Sequence, residues 1–220
     1  MSCKIAVLDY GVGNIRSING AFEKNGTIPI LTRNAHEIET ADGLVVPGVG
    51  AFAHGMQNLL DLNLVKPIIE FAHSGRPILG ICLGMQLLFD ESEEFGMSNG
   101  LGLINGRVCR LDSFPVDFYG KLPHIGWNGI KKTAYADWGD TIFNDLNNEE
   151  DMYFVHSYAA VPNDKRSILS VTNYAGISFC SAVKKDNIYG CQFHPEKSGK
   201  YGLMIIKNFI DICTRNRNDK

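Results

Sequence analysis

Cys82 stands in Gly80-Ile81-Cys82-Leu83-Gly84, a thiol with a glycine two residues away on either side. That spacing is the G-x-S-x-G nucleophile elbow with sulfur in place of oxygen. Far down the chain, His194 and Glu196 flank Pro195. Read as the end of a strand, this segment turns both side chains the same way, and the proline stiffens the backbone between them. A carboxylate beside an imidazole fixes its tautomer and stabilises the imidazolium, as the third member of a triad does. If the two segments meet, they form a nucleophile, a base and an orienter. Each half also has a plain alternative. The alternative for Cys82, which the elbow spacing disfavours, is a buried core thiol, while His194 with Glu196 reads equally as a surface pair at a strand end.

The elements around these residues follow from hydropathy. Pro77 to Ile81 is a short apolar run and predicts a buried parallel strand, while Leu83, Leu87 and Leu88 are spaced like one face of a helix. Cys82 then sits at a sharp turn whose strain the glycines permit. Its thiol meets a helix N-terminus, which favours thiolate, and the Leu83 amide is placed to donate to an oxyanion. Upstream, strands at Lys4 to Tyr10, Ile28 to Leu31 and Gly43 to Val46 alternate with helices to about Lys24, from Phe52 to Leu60 and from Val65 to Ala72. The expectation is an α/β fold, doubly wound, with a mostly parallel sheet and an antiparallel C-terminal portion. Ligands bind such sheets beyond the carboxyl ends of the strands. Cys82 falls there, and so does Pro47-Gly48-Val49-Gly50-Ala51-Phe52, whose glycines expose amides.

Gly11-Val12-Gly13-Asn14 after the first strand has the look of a dinucleotide site. Arg16 occupies the place of the third glycine, and Thr32-Arg33-Asn34 offers no acid to a ribose, so no nucleotide cofactor is expected. Beyond Asp90, Glu91 to Gly102 reads as a polar surface loop. Leu103 to Thr133 reads as short strands punctuated by Pro115, Gly120, Pro123, Gly126 and Gly129. Met152 to Val161 reads as one strand. Ile168 to Val183 and Ile188 to Phe193 read as antiparallel strands about the turn Lys184 to Asn187, and Tyr201 to Cys213 as a closing helix. Trp127 suggests core packing, with an interface anchor as the alternative.

With 220 residues and 45% hydrophobic content, the chain predicts a single domain over residues 1–220. A formal net charge of −3 without a basic cluster argues against nucleic acid. No signal peptide or long uncharged apolar run is visible, so the expectation is a cytoplasmic protein with no membrane span. The six scattered cysteines lack C-x-x-C pairs and zinc spacing; free thiols and no metal are expected.

The elbow with Met85 and Gln86, together with His194-Pro195-Glu196, resembles the class I, triad-type glutamine amidotransferases. Leu8-Asp9-Tyr10-Gly11-Val12-Gly13-Asn14, Pro47 to Phe52, Pro123-His124-Ile125-Gly126-Trp127-Asn128, Tyr153-Phe154-Val155-His156-Ser157-Tyr158 and Gln192 to Ser198 narrow the likeness. They resemble the glutaminase subunits of imidazole glycerol phosphate synthase, across essentially the whole chain. Ser113 to Leu122 and Ser198-Gly199 follow that pattern less closely. The resemblance implies a glutamine substrate, no cofactor, and a catalytic set of Cys82, His194 and Glu196. It implies oxyanion donors at Leu83, Val49 and Gly50, and substrate contacts at Gly48, Gln86, His156, Ser157 and Tyr158. It also implies a heterodimer with a (β/α)8 cyclase, docked near Asn14, Trp127, Tyr153 and Lys197. The glycines beside Val49 would let the Gly48-Val49 peptide rotate, as a gate on the oxyanion site.

Other readings keep part of this picture. The same glutaminase could serve a related barrel and an amidating enzyme, as in amidino-sugar synthesis. The chain could be a catalytically silent binding subunit, against which the intact Cys82, His194 and Glu196 speak. It could also be a cysteine peptidase or other hydrolase built on the same elbow.

Overall fold

A computed structural model describes residues 3–114 and 117–218. Pro115, one of the expected punctuation marks, lies outside the described residues. The first half of the chain alternates strand and helix: β1 (Ile5–Leu8), α1 (Ile15–Lys24), β2 (Ile30–Thr32), α2 (Ala35–Glu39), β3 (Gly43–Val46), α3 (Phe52–Asp61), α4 (Val65–His73), β4 (Ile78–Ile81) and α5 (Leu83–Leu87). β1, β3 and β4 are buried at every residue, as parallel strands covered on both faces must be. Alternation divides the core between those faces. Ile5 and Val7 pack with Ile18, Phe22 and Phe209 on one side, and Ala6 and Leu8 with Phe52, Leu59, Ile68 and Phe71 on the other.

The second half is mostly strand. It comprises β5 (Phe89–Ser92), β6 (Ser98–Asn99), β7 (Ile104–Arg110), β8 (His124–Gly129), β9 (Lys131–Lys132), β10 (Asp151–His156), β11 (Tyr158–Pro162), β12 (Ile168–Tyr174), β13 (Ile177–Lys185), β14 (Ile188–Cys191) and the closing helix α6 (Gly199–Asn218). The main sheet runs β2-β1-β3-β4-β14-β13-β12-β9. It is parallel from β2 through β14 and antiparallel beyond. Between β4 and β14 the register sets Ile81 opposite Cys191, so the residues that follow each strand emerge side by side. β8 and β10 form a separate two-stranded ribbon, and β11-β7-β5-β6 a third sheet.

Five expectations change. Ile168 to Val183 is a hairpin of β12 and β13, turned at Ala175 and Gly176, and not one strand. Glu91 to Gly102 is not a plain loop, because β5 and β6 pair within it at Glu91–Asn99 and Ser92–Ser98. Two of its acids face protein backbone: Glu93 accepts from Arg110 N at 2.9 Å and Glu94 from Phe52 N at 2.7 Å, and just before this stretch Asp90 accepts from Gly106 N at 2.8 Å. Met152 to Val161 is two strands in two sheets, broken at Ser157, whose carbonyl accepts from Leu111 N. The burial pattern changes phase there, but in sequence only the polar pair His156-Ser157 interrupts an otherwise apolar run. The last strand stops at Cys191, and Pro195–Lys197 is a single 3-10 turn. α6 runs to Asn218, with Arg215 and Arg217 in its last turn favouring its C-terminal dipole. Trp138 is buried beside Phe143 and donates its indole N–H to Leu169 O at 2.8 Å. No helix among the described residues is long and apolar enough to cross a membrane.

Candidate active site

Cys82 has φ 54° and ψ −109°, the strained backbone of an elbow between β4 and α5. Close packing holds it there. A Cβ on Gly84 would lie 1.8 Å from the Val46 carbonyl oxygen, so the first turn of α5 rests directly on the end of β3. Gly48 approaches from the other side, where a Cβ would lie 2.9 Å from Leu83 Cβ and 2.8 Å from Tyr10 Oη. Tyr10 is fully buried and donates its hydroxyl to Pro47 O. Five residues on, Glu94 accepts from Phe52 N at 2.7 Å, capping α3, whose N-cap residue Ala51 offers no side-chain bond. The turn Gly48-Val49-Gly50 is thus tied at both ends. Between the ties, Gly50 has φ +106° and open space around its Cβ position.

His194 and Glu196 are paired, but the alternation expected of an extended strand is not what pairs them. The 3-10 turn brings the carboxylate back under the ring, with Nδ1 2.8 Å from Glu196 Oε1 and both side chains buried. Ser198 locks the turn by donating to His194 O at 2.6 Å and accepting from Tyr153 N at 3.0 Å. His194 N donates to Tyr153 O at 2.9 Å. His194 Nε2 has no hydrogen-bond partner of full geometry among the described residues. Burial works against the imidazolium, yet the adjacent Cys82 thiol and Glu196 outweigh it and raise the ring from 6.5 to about 10.

A cavity of about 320 Å³ opens above Cys82, lined by Val49, Gly50, Leu83, Gln86, His156, Ser157 and Tyr158. The structure therefore gathers most of the expected contact residues around one space. Gly48 lies beneath this lining, against Tyr10 and the elbow. Glu94, Pro123 and Val155 also line it and were not expected. Glu94 is hidden in sequence because it is one of several acids in a polar stretch. Under the cavity, Tyr158 O accepts from His156 Nδ1 at 2.8 Å and from Gln86 Nε2 at 2.9 Å. His156 Nε2 meets His124 Nδ1 at 3.1 Å, and His124 Nε2 meets the Asn128 amide at 2.7 Å. Burial lowers His156 to about 3 and pushes His124 down as well.

The sequence model of the class-I glutamine amidotransferases matches residues 6–213. The chain belongs to this family. Imidazole glycerol phosphate synthase subunit HisH 1 of Legionella pneumophila (strain Lens) is 47% identical over 210 residues, covering 94% of this chain and 99% of that protein. The HisH subunit of Syntrophotalea carbinolica is 47% identical over 213 residues, covering 94% of this chain and 100% of that one. The solved structure of PurLQS from Thermotoga maritima shares the fold, with a TM-score of 0.72 at 19% identity, over 96% of this chain and 99% of that chain.

In this class-I amidotransferase all six cysteines are free. Burial pushes Cys109, Cys180, Cys191 and Cys213 upward, which keeps them as thiols. Among the described residues no group of three or more His, Cys, Asp or Glu is placed to hold a metal ion. The reading of Trp127 as core packing is overturned, because the ring is 53% exposed. It stands on β8 opposite Tyr153 of β10, edge to face at 5.8 Å, on the side of the ribbon turned away from buried His124 and Phe154. Lys197 Nζ lies 5.7 Å from the Tyr153 ring. Asn14 is separate from this cluster: it caps α1, and its neighbour Gly13 packs against Pro47 and Gly48.

Proposed function

We propose that the chain is the glutaminase subunit of an imidazole glycerol phosphate synthase, working as one amidotransferase domain in the cytoplasm. It hydrolyses glutamine to glutamate and ammonia, and passes the ammonia to a (β/α)8 cyclase partner. That partner makes imidazole glycerol phosphate and an aminoimidazole carboxamide ribotide in histidine biosynthesis. The observation that carries this reading is the meeting of a strained cysteine elbow with a buried His194–Glu196 pair at neighbouring parallel strand ends, under an open cavity.

The substrate carboxamide meets Cys82 Sγ, and His194 takes the thiol proton while Glu196 holds the ring at Nδ1. A raised imidazole keeps that proton until it is needed. Amides of Leu83 and of the Val49-Gly50 segment receive the tetrahedral oxyanion. The intermediate collapses as His194 protonates departing ammonia, and water then cleaves the γ-glutamyl thioester. No metal or organic cofactor enters any step. At the other end of the cavity, Glu94 is a carboxylate for the substrate's α-ammonium. Gln86 spends its amide donors on Tyr158 and Gln192, which leaves Oε1 for the substrate. Backbone of His156, Ser157 and Tyr158 completes that end. Trp127, Tyr153 and Lys197, with Asn14 at the turn's edge, form the docking face. The Gly48-Val49-Gly50 turn, tied at Pro47 and Phe52 and loose between, is the gate that holds hydrolysis back until the partner is loaded.

The test is reconstitution. The chain is purified with its (β/α)8 partner and supplied with glutamine and the ribonucleotide-derived acceptor. The expected products are glutamate, imidazole glycerol phosphate and the aminoimidazole carboxamide ribotide. Glutamate release accompanied by an amidated sugar would keep the chemistry and overturn the pathway.

A further inference from the structure

Gln192 is completely buried and lies outside the cavity lining, in the residue position just after β14. Its side chain touches two groups. Oε1 is 2.9 Å from Gln86 Nε2, and Nε2 is 3.7 Å from Cys82 Sγ. Oxygen and nitrogen of an amide can be exchanged on paper, but here the surroundings decide. The Tyr158 carbonyl can only accept, so the Gln86 atom facing it at 2.9 Å must be the NH2 group. The same Gln86 nitrogen faces Gln192, which must therefore present its oxygen. The remaining end of Gln192, the NH2 group, is left pointing at sulfur.

We propose that Gln192 is a further residue of the nucleophile's machinery, whose amide N–H donates to Cys82 Sγ and stabilises it as thiolate. This rests on the reading of Cys82 as the nucleophile. The sulfur has a second contact, with Val155 O at 3.9 Å, which can only accept. Val155 O suits the protonated thiol and Gln192 the ionised one, so the sulfur has a partner for each of its two states. A donor to a charged atom contributes more than a donor to a neutral one. The Gln192 N–H therefore acts on the step in which charge appears on sulfur, while its Oε1 holds Gln86 on the substrate side.

The titratable groups facing Cys82 are His194 after β14, Tyr10 after β1, His156 on β10 and, across the cavity, Glu94. The test leaves all of them in place. The full chain is treated with iodoacetamide, and alkylation of the Cys82 peptide is followed by mass spectrometry. Gln192→Glu keeps the size and the acceptor for Gln86 but removes the donor to sulfur. It is expected to slow Cys82 alkylation at neutral pH about tenfold, with a lowered melting temperature because a carboxyl replaces an amide at a fully enclosed position. Gln192→Leu is expected to slow it too, and the deficit of both variants should shrink as pH is raised. In the assembled enzyme, kcat for glutamine falls and KM holds in Gln192→Glu, which keeps the acceptor that orients Gln86, whereas Gln192→Leu, which removes that acceptor, raises KM as well. If Gln192→Leu fails to fold, the Glu variant carries the test alone. A folded Glu variant whose Cys82 reacts within twofold of wild type overturns the proposal. A wild-type Cys82 no more reactive than Cys109 would remove the nucleophile itself, and this proposal with it.

Discussion

The floor and the rim of the cavity are built differently. The floor hangs from β4 and β14 in the middle of an eight-stranded sheet, with every residue of both strands buried. Its side chains are fixed by close backbone contact and by a buried ion pair. The rim is made of a two-stranded ribbon and a turn tied only at its ends. There Ile125 and Trp127 are more than half exposed, and a Cβ at Gly50 would meet nothing. Groups that must hold a reacting atom to a fraction of an ångström sit where packing leaves no choice. Groups that meet a partner, or change when one arrives, sit where few contacts must be broken for them to move.

The largest effect should come from the floor. Cys82→Ala is expected to lower glutamine hydrolysis by about a thousandfold or more while the assembled complex still works with free ammonia. Loss of the ammonia-driven reaction in a folded complex would count against the division of labour. Next come two glycines, one from each region. Gly84→Ala drives a methyl into the Val46 carbonyl and should cost about 3 kcal/mol in urea unfolding. Gly50→Ala meets open space and only a strained φ, at about 1 kcal/mol, and should reduce partner-stimulated turnover more than stability. Equal costs at the two sites would erase the contrast.

Two buried histidines give a pH signature. His156 is lowered from 6.5 to about 3, so it stays neutral in the fold but takes up a proton in the unfolded chain. Its contribution is present above pH 6.5 and lost as pH falls towards 3. His194 is raised from 6.5 to about 10, and its contribution is complete below pH 6.5 and lost as pH rises towards 10. Stability should therefore peak near pH 6.5, with limbs on the order of a few kcal/mol. Urea midpoints across the range would show it, and His156→Gln and His194→Gln should flatten the acid and alkaline limbs respectively. A curve still rising at alkaline pH would contradict the His194 assignment. The last effect belongs to the rim and spares the fold. Trp127→Ala should weaken docking by about 2 kcal/mol in titration calorimetry and barely change the melting temperature, since half of its ring is already in water.

The floor was the legible part of the sequence. Gly80, Cys82 and Gly84 announce an elbow because no other short pattern demands small residues on both sides of a nucleophile, and β1, β3 and β4 read as continuous apolar runs. His194 and Glu196 were found as a pair, although a 3-10 turn brings them together and the geometry first supposed does not. The rim was harder. The break at Ser157 falls within an apolar run interrupted only by His156-Ser157, and the sequence carries no glycine or proline there to separate one strand from two. Asp90 on β5 and Glu93 just after it accept from backbone amides of Gly106 and Arg110, and in sequence such acids look like solvent-facing loop. Glu94 and Gln192 owe their importance to neighbours more than 40 residues away in sequence, which composition and spacing cannot express.

The chain's two tryptophans fall on opposite sides of this division. Trp138 is enclosed, with its indole N–H bonded to Leu169 O, while Trp127 stands half in water on the docking ribbon. Their fluorescence should therefore be separable. Trp138 emits from an apolar site closed to acrylamide or iodide, and reddens only when the fold is lost. Trp127 is open to either quencher in the free chain and becomes shielded when a partner covers the ribbon. Quenching measured with and without the partner thus reads docking without any label, and Trp127→Phe leaves a protein whose emission reports folding alone.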